Sequence, residues 1–248
     1  MRIGIVGYGR MGHLIESLAR QKGWKVVAII DPVMDSPSVT ARTLSASAMK
    51  ECDVVVDFSS PESAVDNILF YAREDIPAVI GTTGWHERLD EVRAQVDENR
   101  AAIIYSGNFS IGVHLFVSIV RHAARLIDGF DDYDALVSEL HHAGKADSPS
   151  GTALMIATAI MDNVKRKKHV ETGRLDRMRA ADELHVVSGR VGSVPGTHTV
   201  IFDSPADTLE LTHRARSREG FAYGALAAAQ WIADGRKGFF TLDDMMGA

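Results

Sequence analysis

The densest chemistry in the chain lies in Glu139-Leu140-His141-His142-Ala143-Gly144-Lys145-Ala146-Asp147-Ser148-Pro149-Ser150-Gly151-Thr152-Ala153. An imidazole can supply or accept a proton near neutral pH. Lys145 adds a compact cation with three donors. Pro-Ser-Gly-Thr opens a helix. Its first-turn N–H groups, with the hydroxyls of Ser150 and Thr152, form an anion site suited to a carboxylate. Plainer roles compete. Adjacent strand residues point to opposite faces, so one histidine can be structural. Ser150 can be no more than a helix cap. Two histidines also suit a metal, but no third ligand stands at helical or Cys-x-x-Cys-like spacing. Glu139 or Asp147 would complete a set only if the loop folded back, so no metal is expected.

A second constellation sits near the N-terminus. Gly7-Tyr8-Gly9-Arg10-Met11-Gly12 follows a β-rich run and opens a helix. The first glycine makes the tight turn, the second admits a pyrophosphate, and the third lets helix and strand pack closely. Asp31 stands about 20 residues further on, where a ribose-binding acid is expected. Together these point to a dinucleotide; the motif alone would fit a tight turn in another α/β fold. Gly81-Thr82-Thr83-Gly84 and Ser106-Gly107-Asn108-Phe109 also fall at carboxyl ends of predicted strands, where ligands bind in open α/β sheets. Simple turn chemistry explains them equally well.

The elements that must position these residues follow two patterns. Up to Ser106, strand runs (Arg2–Val6, Lys25–Ile30, Val54–Phe58, Ala78–Ile80, Ala102–Tyr105) alternate with helical runs (Met11–Gln21, a run from Pro61 to about Arg73, His86–Asn99), as in a doubly wound parallel sheet. Beyond it come a helix (Ile111–Leu126), a strand (Ala135–Leu140), a helix from about Gly151, and three successive strand signals (Leu184–Ser188, Thr197–Phe202, Thr208–His213). The last clear helix is Ala222–Ala233. The expected fold class is therefore α/β: a Rossmann-type doubly wound sheet over 1–107, completed by 218–248. An inserted α+β domain with a mixed or antiparallel sheet spans 108–217.

Composition narrows the function. Of 248 residues 46% are apolar and 24% charged, which suits a globular protein, and the net charge of -6 disfavours nucleic acid as the main partner. The basic run Lys165-Arg166-Lys167-Lys168 reads as a solvated face after a helix. With one cysteine, Cys52, no intrachain disulfide can form. That favours a reducing, cytoplasmic setting. No signal peptide and no membrane span are expected.

The Glu139–Ala153 segment resembles the signature of the dihydrodipicolinate reductase family, roughly E-x-H-H-x-x-K-x-D-x-P-S-G-T-A, at every specified position. Asp57-Phe58-Ser59, Gly81-Thr82-Thr83-Gly84, Asn108-Phe109-Ser110, Gly196-Thr197-His198 and the stretch from Arg218 through Phe221 to Gly224-Ala225 occur in the family's order. The resemblance covers essentially the whole chain. It implies a two-domain reductase of lysine and diaminopimelate synthesis, usually a homotetramer built through the second domain's sheet. NADH or NADPH would be held by Gly7, Tyr8, Gly9, Arg10, Met11, Gly12, Asp31, Gly81, Thr82, Thr83, Ser106, Gly107, Asn108 and Phe109. His141 would donate or accept a proton and Lys145 donate one. His142, Gly151 and Thr152 would contact a cyclic imine dicarboxylate. Ser150 joins that substrate set from the anion-site reading.

Two positions depart from the family. Tyr8 stands where a small residue is common, and Pro32 where an arginine often follows the ribose-binding acid. Asp31 without that arginine should favour NADH, because a carboxylate repels a 2′-phosphate; Arg10 is a nearby cation that would rescue NADPH. The competing readings are another nicotinamide-dependent oxidoreductase, such as an amino-acid dehydrogenase, and a non-enzymatic dinucleotide sensor.

Overall fold

In the computed structural model, which describes residues 1–247, the β-branched runs near the N-terminus become short parallel strands. In chain order they are β1 (Arg2–Val6), α1 (Arg10–Gln21), β2 (Lys25–Ile30), α2 (Ala46–Met49), β3 (Val54–Asp57), α3 (Pro61–Arg73), β4 (Ala78–Ile80), α4 (Leu89–Glu98) and β5 (Ala102–Tyr105). The chain continues through α5 (Ile111–Ile127), β6 (Asp134–His141), α6 (Gly151–Met161), β7 (His169–Glu171), β8 (Glu183–Arg190), β9 (Thr197–Asp203) and β10 (Thr208–Arg214). It closes with α7 (Glu219–Ile232), β11 (Gly238–Thr241) and α8 (Leu242–Met246). Two compact units result. One holds the first 110 residues and the stretch from Glu219 onward; the other is Ile111–Arg218.

The first unit is a six-stranded sheet in the order β11-β5-β4-β3-β1-β2, parallel throughout. Its strands are buried on both faces, so they read as continuous apolar runs. Alternate side chains divide between two cores. Ile3, Ile5, Val54 and Val56 pack on the side of α1 and α7, while Val6, Val55 and Ile80 pack on the side of α3 and α4. The strand order reverses between β1 and β3. A crevice opens there at the carboxyl ends, as in other doubly wound sheets.

The second unit is a five-stranded mixed sheet, β10-β9-β6-β8-β7. β6 runs parallel to β8 and antiparallel to β9. Helices α5 and α6 cover one face through Phe116, Val120, Ile156 and Ile160 against Val137, Val186 and Val200. Among the described residues, no helix is long and apolar enough to cross a membrane.

Several elements escape sequence periodicity. β7 is three residues of His-Val-Glu and β11 begins at a glycine. Both take their strand character from a neighbour, not from a pattern of their own. The His86–Asn99 helix is a 3-10 turn, His86–Arg88, leading into α4. The basic run is not simply solvated. Lys167 is 3% exposed, and its Nζ donates to Asp134 Oδ1 at 2.6 Å and to the carbonyls of Ala181 and Glu183 at 2.8 and 2.9 Å. Chain crossings invisible to spacing gave this lysine three acceptors.

Candidate active site

In the first unit the loop after β1 turns at Gly7, whose φ of 83° is left-handed and where a Cβ would fall 2.2 Å from the Phe58 carbonyl oxygen. A Cβ on Gly9 would meet nothing within 4 Å, so space for a ligand lies open there. Gly9 begins α1 without any side-chain cap, which leaves first-turn N–H groups for an anion. Asp31 follows β2 and lines a cleft of about 660 Å³ with Gly7, Gly9, Pro32 and Arg42. Its carboxylate accepts hydrogen bonds from Tyr8 N at 2.7 Å, Val33 N at 2.9 Å and Met34 N at 2.7 Å. Partial burial tends to raise the Asp31 carboxyl, but the Met34, Tyr8 and Val33 amides outweigh it, and the net shift is downward. Asp31 is thus ionised and organises the loop, with lone-pair capacity left for a ribose hydroxyl.

The other dinucleotide candidates divide by where their side chains go. Arg10, Met11, Gly81, Thr82 and Thr83 line a second pocket with Phe58 and Ser59. The Tyr8 ring is 2% exposed; it stacks on His13 and its hydroxyl donates to Glu16. Thr82 lies near the fully buried Asp57, donating to Oδ1 at 3.3 Å. Phe109 is in the core beside Phe58. Ser106 folds its own loop, accepting from Asn108 N and donating to Asn108 O, while Asn108 Oδ1 accepts from Ser110 N. Gly107 lies in this same turn, against Thr83 and Tyr105. Tyr8 and Phe109 can therefore offer a ligand backbone atoms but not their rings. Arg42 was missed by sequence reasoning because it lies beyond the usual position after the acid. It is the one cation among the described residues lining the Asp31 cleft.

In the second unit, strand register does the positioning. Val137, Glu139 and His141 alternate onto the helix-covered face of β6, so the carboxylate and the imidazole are buried at 1% and 8% exposure. His142 lies past the strand end and is half-buried. Glu139 Oε2 contacts His141 Nδ1, and Oε1 is held by Arg190 at 3.0 Å and Ser150 N at 3.2 Å. His198, on β9, packs edge-on to His141 with ring centroids 5.1 Å apart. Burial tends to raise Glu139, but Ser188, Arg190, His141 and Ser150 outweigh it, so it stays ionised. Burial pulls His141 down despite Glu139, and pushes His198 down to about 4, so His198 is neutral at pH 7.

Lys145 Nζ pairs with Asp147 Oδ1 at 2.7 Å, and that carboxyl is held below its usual range by Lys145 and by the Gly151 N–H. A carboxylate thus sits between the lysine and the start of α6, where the sequence places an anion. Ser150 is turned inward at 2% exposure: its Oγ accepts from Ala153 N and lies 3.3 Å from His198 Nε2. Its polar atoms serve the cap and the cluster, while Lys145 and the Gly151 N–H meet Asp147 on the outer side. Glu139, His141 and His198 bring ligand atoms within 4.8 Å of one another, close enough for a metal. Arg190 and Lys145 put positive charge beside that set, and Glu139 is already engaged. That positive charge opposes a bound cation. Arg190 and the inward role of His198 carried no spacing signal, since β8 and β9 reach β6 only through sheet pairing.

Comparison with known proteins identifies the family. Residues 1–109 match the family model described as dihydrodipicolinate reductase, N-terminus, and residues 112–246 match its C-terminus counterpart. The 4-hydroxy-tetrahydrodipicolinate reductase of Christiangramia forsetii is 37% identical over 246 residues, covering 99% of this chain and 98% of that protein. The protein of that name from Archaeoglobus fulgidus is 38% identical, covering 99% and 100%. Among solved structures, a dipicolinate-bound dihydrodipicolinate reductase from Paenisporosarcina sp. TG-14 shares the fold with a TM-score of 0.77 at 22% identity, covering 97% of each chain. An amine dehydrogenase from Mycobacterium smegmatis reaches 0.63 at 13% identity, covering 98% of this chain and 95% of its own. With both halves matched by the family's models and full-length relatives well above 30% identity, the chain belongs to the dihydrodipicolinate reductase family.

Proposed function

We propose that the chain reduces 4-hydroxy-2,3,4,5-tetrahydrodipicolinate to tetrahydrodipicolinate, with loss of water and oxidation of NADH or NADPH, in lysine and diaminopimelate synthesis. The single observation that carries this reading is the buried Glu139–His141 pair beside a lysine and a helix start, within a complete family signature. The first unit is assigned to the dinucleotide and the second to the dicarboxylate. When bound, the nicotinamide supplies the hydride. Backbone amides at the start of α1 hold the pyrophosphate, and Asp31 accepts from a ribose hydroxyl. Lys145, Gly151 and Thr152 hold a substrate carboxylate, with His142 alongside. His141 exchanges the proton that completes the reduction, and Lys145 is a second donor. An amino-acid dehydrogenase or a mere dinucleotide sensor would leave the His-Lys loop without this use.

NADH is the proposed preferred cofactor, because the ionised Asp31 opposes a 2′-phosphate. Arg42, on the same cleft, gives NADPH a residual hold. The open face of the second sheet supports self-association as a homotetramer. There Leu140 and Val187 are 45% and 41% exposed, on a face no helix of the unit covers. The cytoplasm suits a chain whose one cysteine, Cys52, is pushed up to about 11 by burial and so is unreactive at neutral pH.

The test is NADH oxidation, followed by absorbance, with freshly generated substrate and with simple keto acids as controls. Turnover is expected with the cyclic imine alone, with NADH giving the higher kcat/KM. Arg42→Gln should lower kcat/KM for NADPH roughly tenfold, about the worth of one charge-assisted hydrogen bond, and spare NADH. Turnover of keto acids instead would replace this reading, and a clear NADPH preference would overturn the role given to Asp31.

A further inference from the structure

Glu139 and His141 share a face of β6, two residues apart, and each leaves one buried polar atom with no hydrogen-bond partner elsewhere. Those atoms, Glu139 Oε2 and His141 Nδ1, face one another. The other carboxylate oxygen is anchored by the Arg190 guanidinium and Ser150 N. The imidazole is seated from the far side as well. Gly196, just before β9, has a φ of 154°, and a Cβ there would come within 3.0 Å of His141 Nε2. His198 packs edge-on to the ring, with centroids 5.1 Å apart. Glu139, Gly196 and His198 thus contact the ring at three places.

We propose that Glu139 is a positioning residue for the proton transfer: it holds His141 through Nδ1, fixes its tautomer, stabilises its charged form, and leaves Nε2 to exchange the proton. The proposal rests on the assignment of His141 as the acid–base group. A carboxylate that grips one imidazole nitrogen settles which nitrogen reacts, and its charge favours the imidazolium by Coulomb attraction. The charged and titratable groups around the ring act in both directions. Glu139 on β6 favours its protonation; Lys145 after β6 and Arg190 on β8 oppose it. His198 on β9 is neutral at pH 7, and His213 on β10 lies one ring further away, 6.4 Å from His198.

The experiment pairs an activity profile with a direct titration. Imidazole NMR gives the pKa of His141 in the full-length protein, and kcat is measured against pH in the same variants. Glu139→Gln keeps the size of the side chain and removes its charge. It should lower the His141 pKa by roughly 1–2 units. The limb of the kcat profile that follows His141 protonation should move down by the same amount, while the NADH dissociation constant stays unchanged. Arg190→Gln should move both quantities the other way, which no general loss of stability would imitate. An unmoved His141 titration in both variants would overturn the proposal. A shifted titration with an unshifted kcat profile would show the pairing but remove Glu139 from the reaction. Wild-type inactivity on the cyclic imine, with the titration shift intact, would instead strike the assignment of the reaction.

Discussion

At the end of β6 a two-residue register places a carboxylate and an imidazole side by side under a helix, and the next few residues place a lysine at the start of that helix. If His141 exchanges the proton and Lys145 holds the substrate, His141→Gln should lower kcat about 10²–10⁴-fold, the usual worth of a positioned acid or base. Lys145→Ala should raise KM as well as lower kcat. Both variants should remain folded and bind NADH as the wild type does, because both residues lie in the unit that does not hold the dinucleotide loops; near wild-type kcat in either removes that residue from the mechanism. His198 offers a separate test, of stability. Burial depresses it to about 4 from 6.5, so the folded state takes up its proton later than the unfolded chain does. Its contribution is fully present above pH 6.5 and is lost as pH falls toward 4, on the order of 3 kcal/mol. Melting temperature should drop across that window, and His198→Gln should flatten the drop; parallel curves for the two proteins would reject this. The reactive loop was legible in the sequence because its residues are contiguous. Arg42, Arg190 and the inward turn of Ser150 were not, because contacts between distant strands and loops decide them.

Among the elements, the strands of the first unit were the easiest to read, since burial on both faces makes them short apolar runs. β7 and β11 show the limit of that reading. Three polar-flanked residues and a Gly-Phe-Phe-Thr run pair with β8 and β5 because the rest of the sheet presents an edge to them. Lys167 shows the limit for charge patterning. It follows α6 in a basic run, yet it ties that segment to Asp134 at the start of β6 and to the stretch leading into β8. Lys167→Ala would remove the donor to the Ala181 carbonyl, while Asp134 and the Glu183 carbonyl keep Arg179. It should destabilise the protein by about 1–3 kcal/mol, the cost of leaving a buried acceptor without its donor, since Asp134 itself is half exposed and still paired with Arg179. Denaturant unfolding checks this, with kcat per folded molecule expected to hold. Lys165→Ala, whose side chain is 91% exposed, is the control and should change little. Equal, small effects from the two substitutions would return the whole run to the solvent.

For the whole molecule, two sheets of different construction are present, one parallel and one mixed; in the proposed function the first would hold the dinucleotide, and the second would carry the chemistry on its helix-covered face and the assembly contacts on its open face. Light scattering should find four chains at micromolar concentration. Leu140→Glu with Val187→Lys, both on the open face, should shift the protein toward smaller species; a wild-type monomer with full activity would reject the homotetramer. The reduction itself is tested most directly by isotope transfer. NADH carrying deuterium at both C4 positions is supplied with freshly generated 4-hydroxy-tetrahydrodipicolinate, and the product is analysed by mass spectrometry. Tetrahydrodipicolinate bearing one deuterium on a ring carbon is expected, formed in step with NADH consumed. Product without deuterium, or NADH consumption without that product, would contradict hydride transfer to the cyclic dicarboxylate.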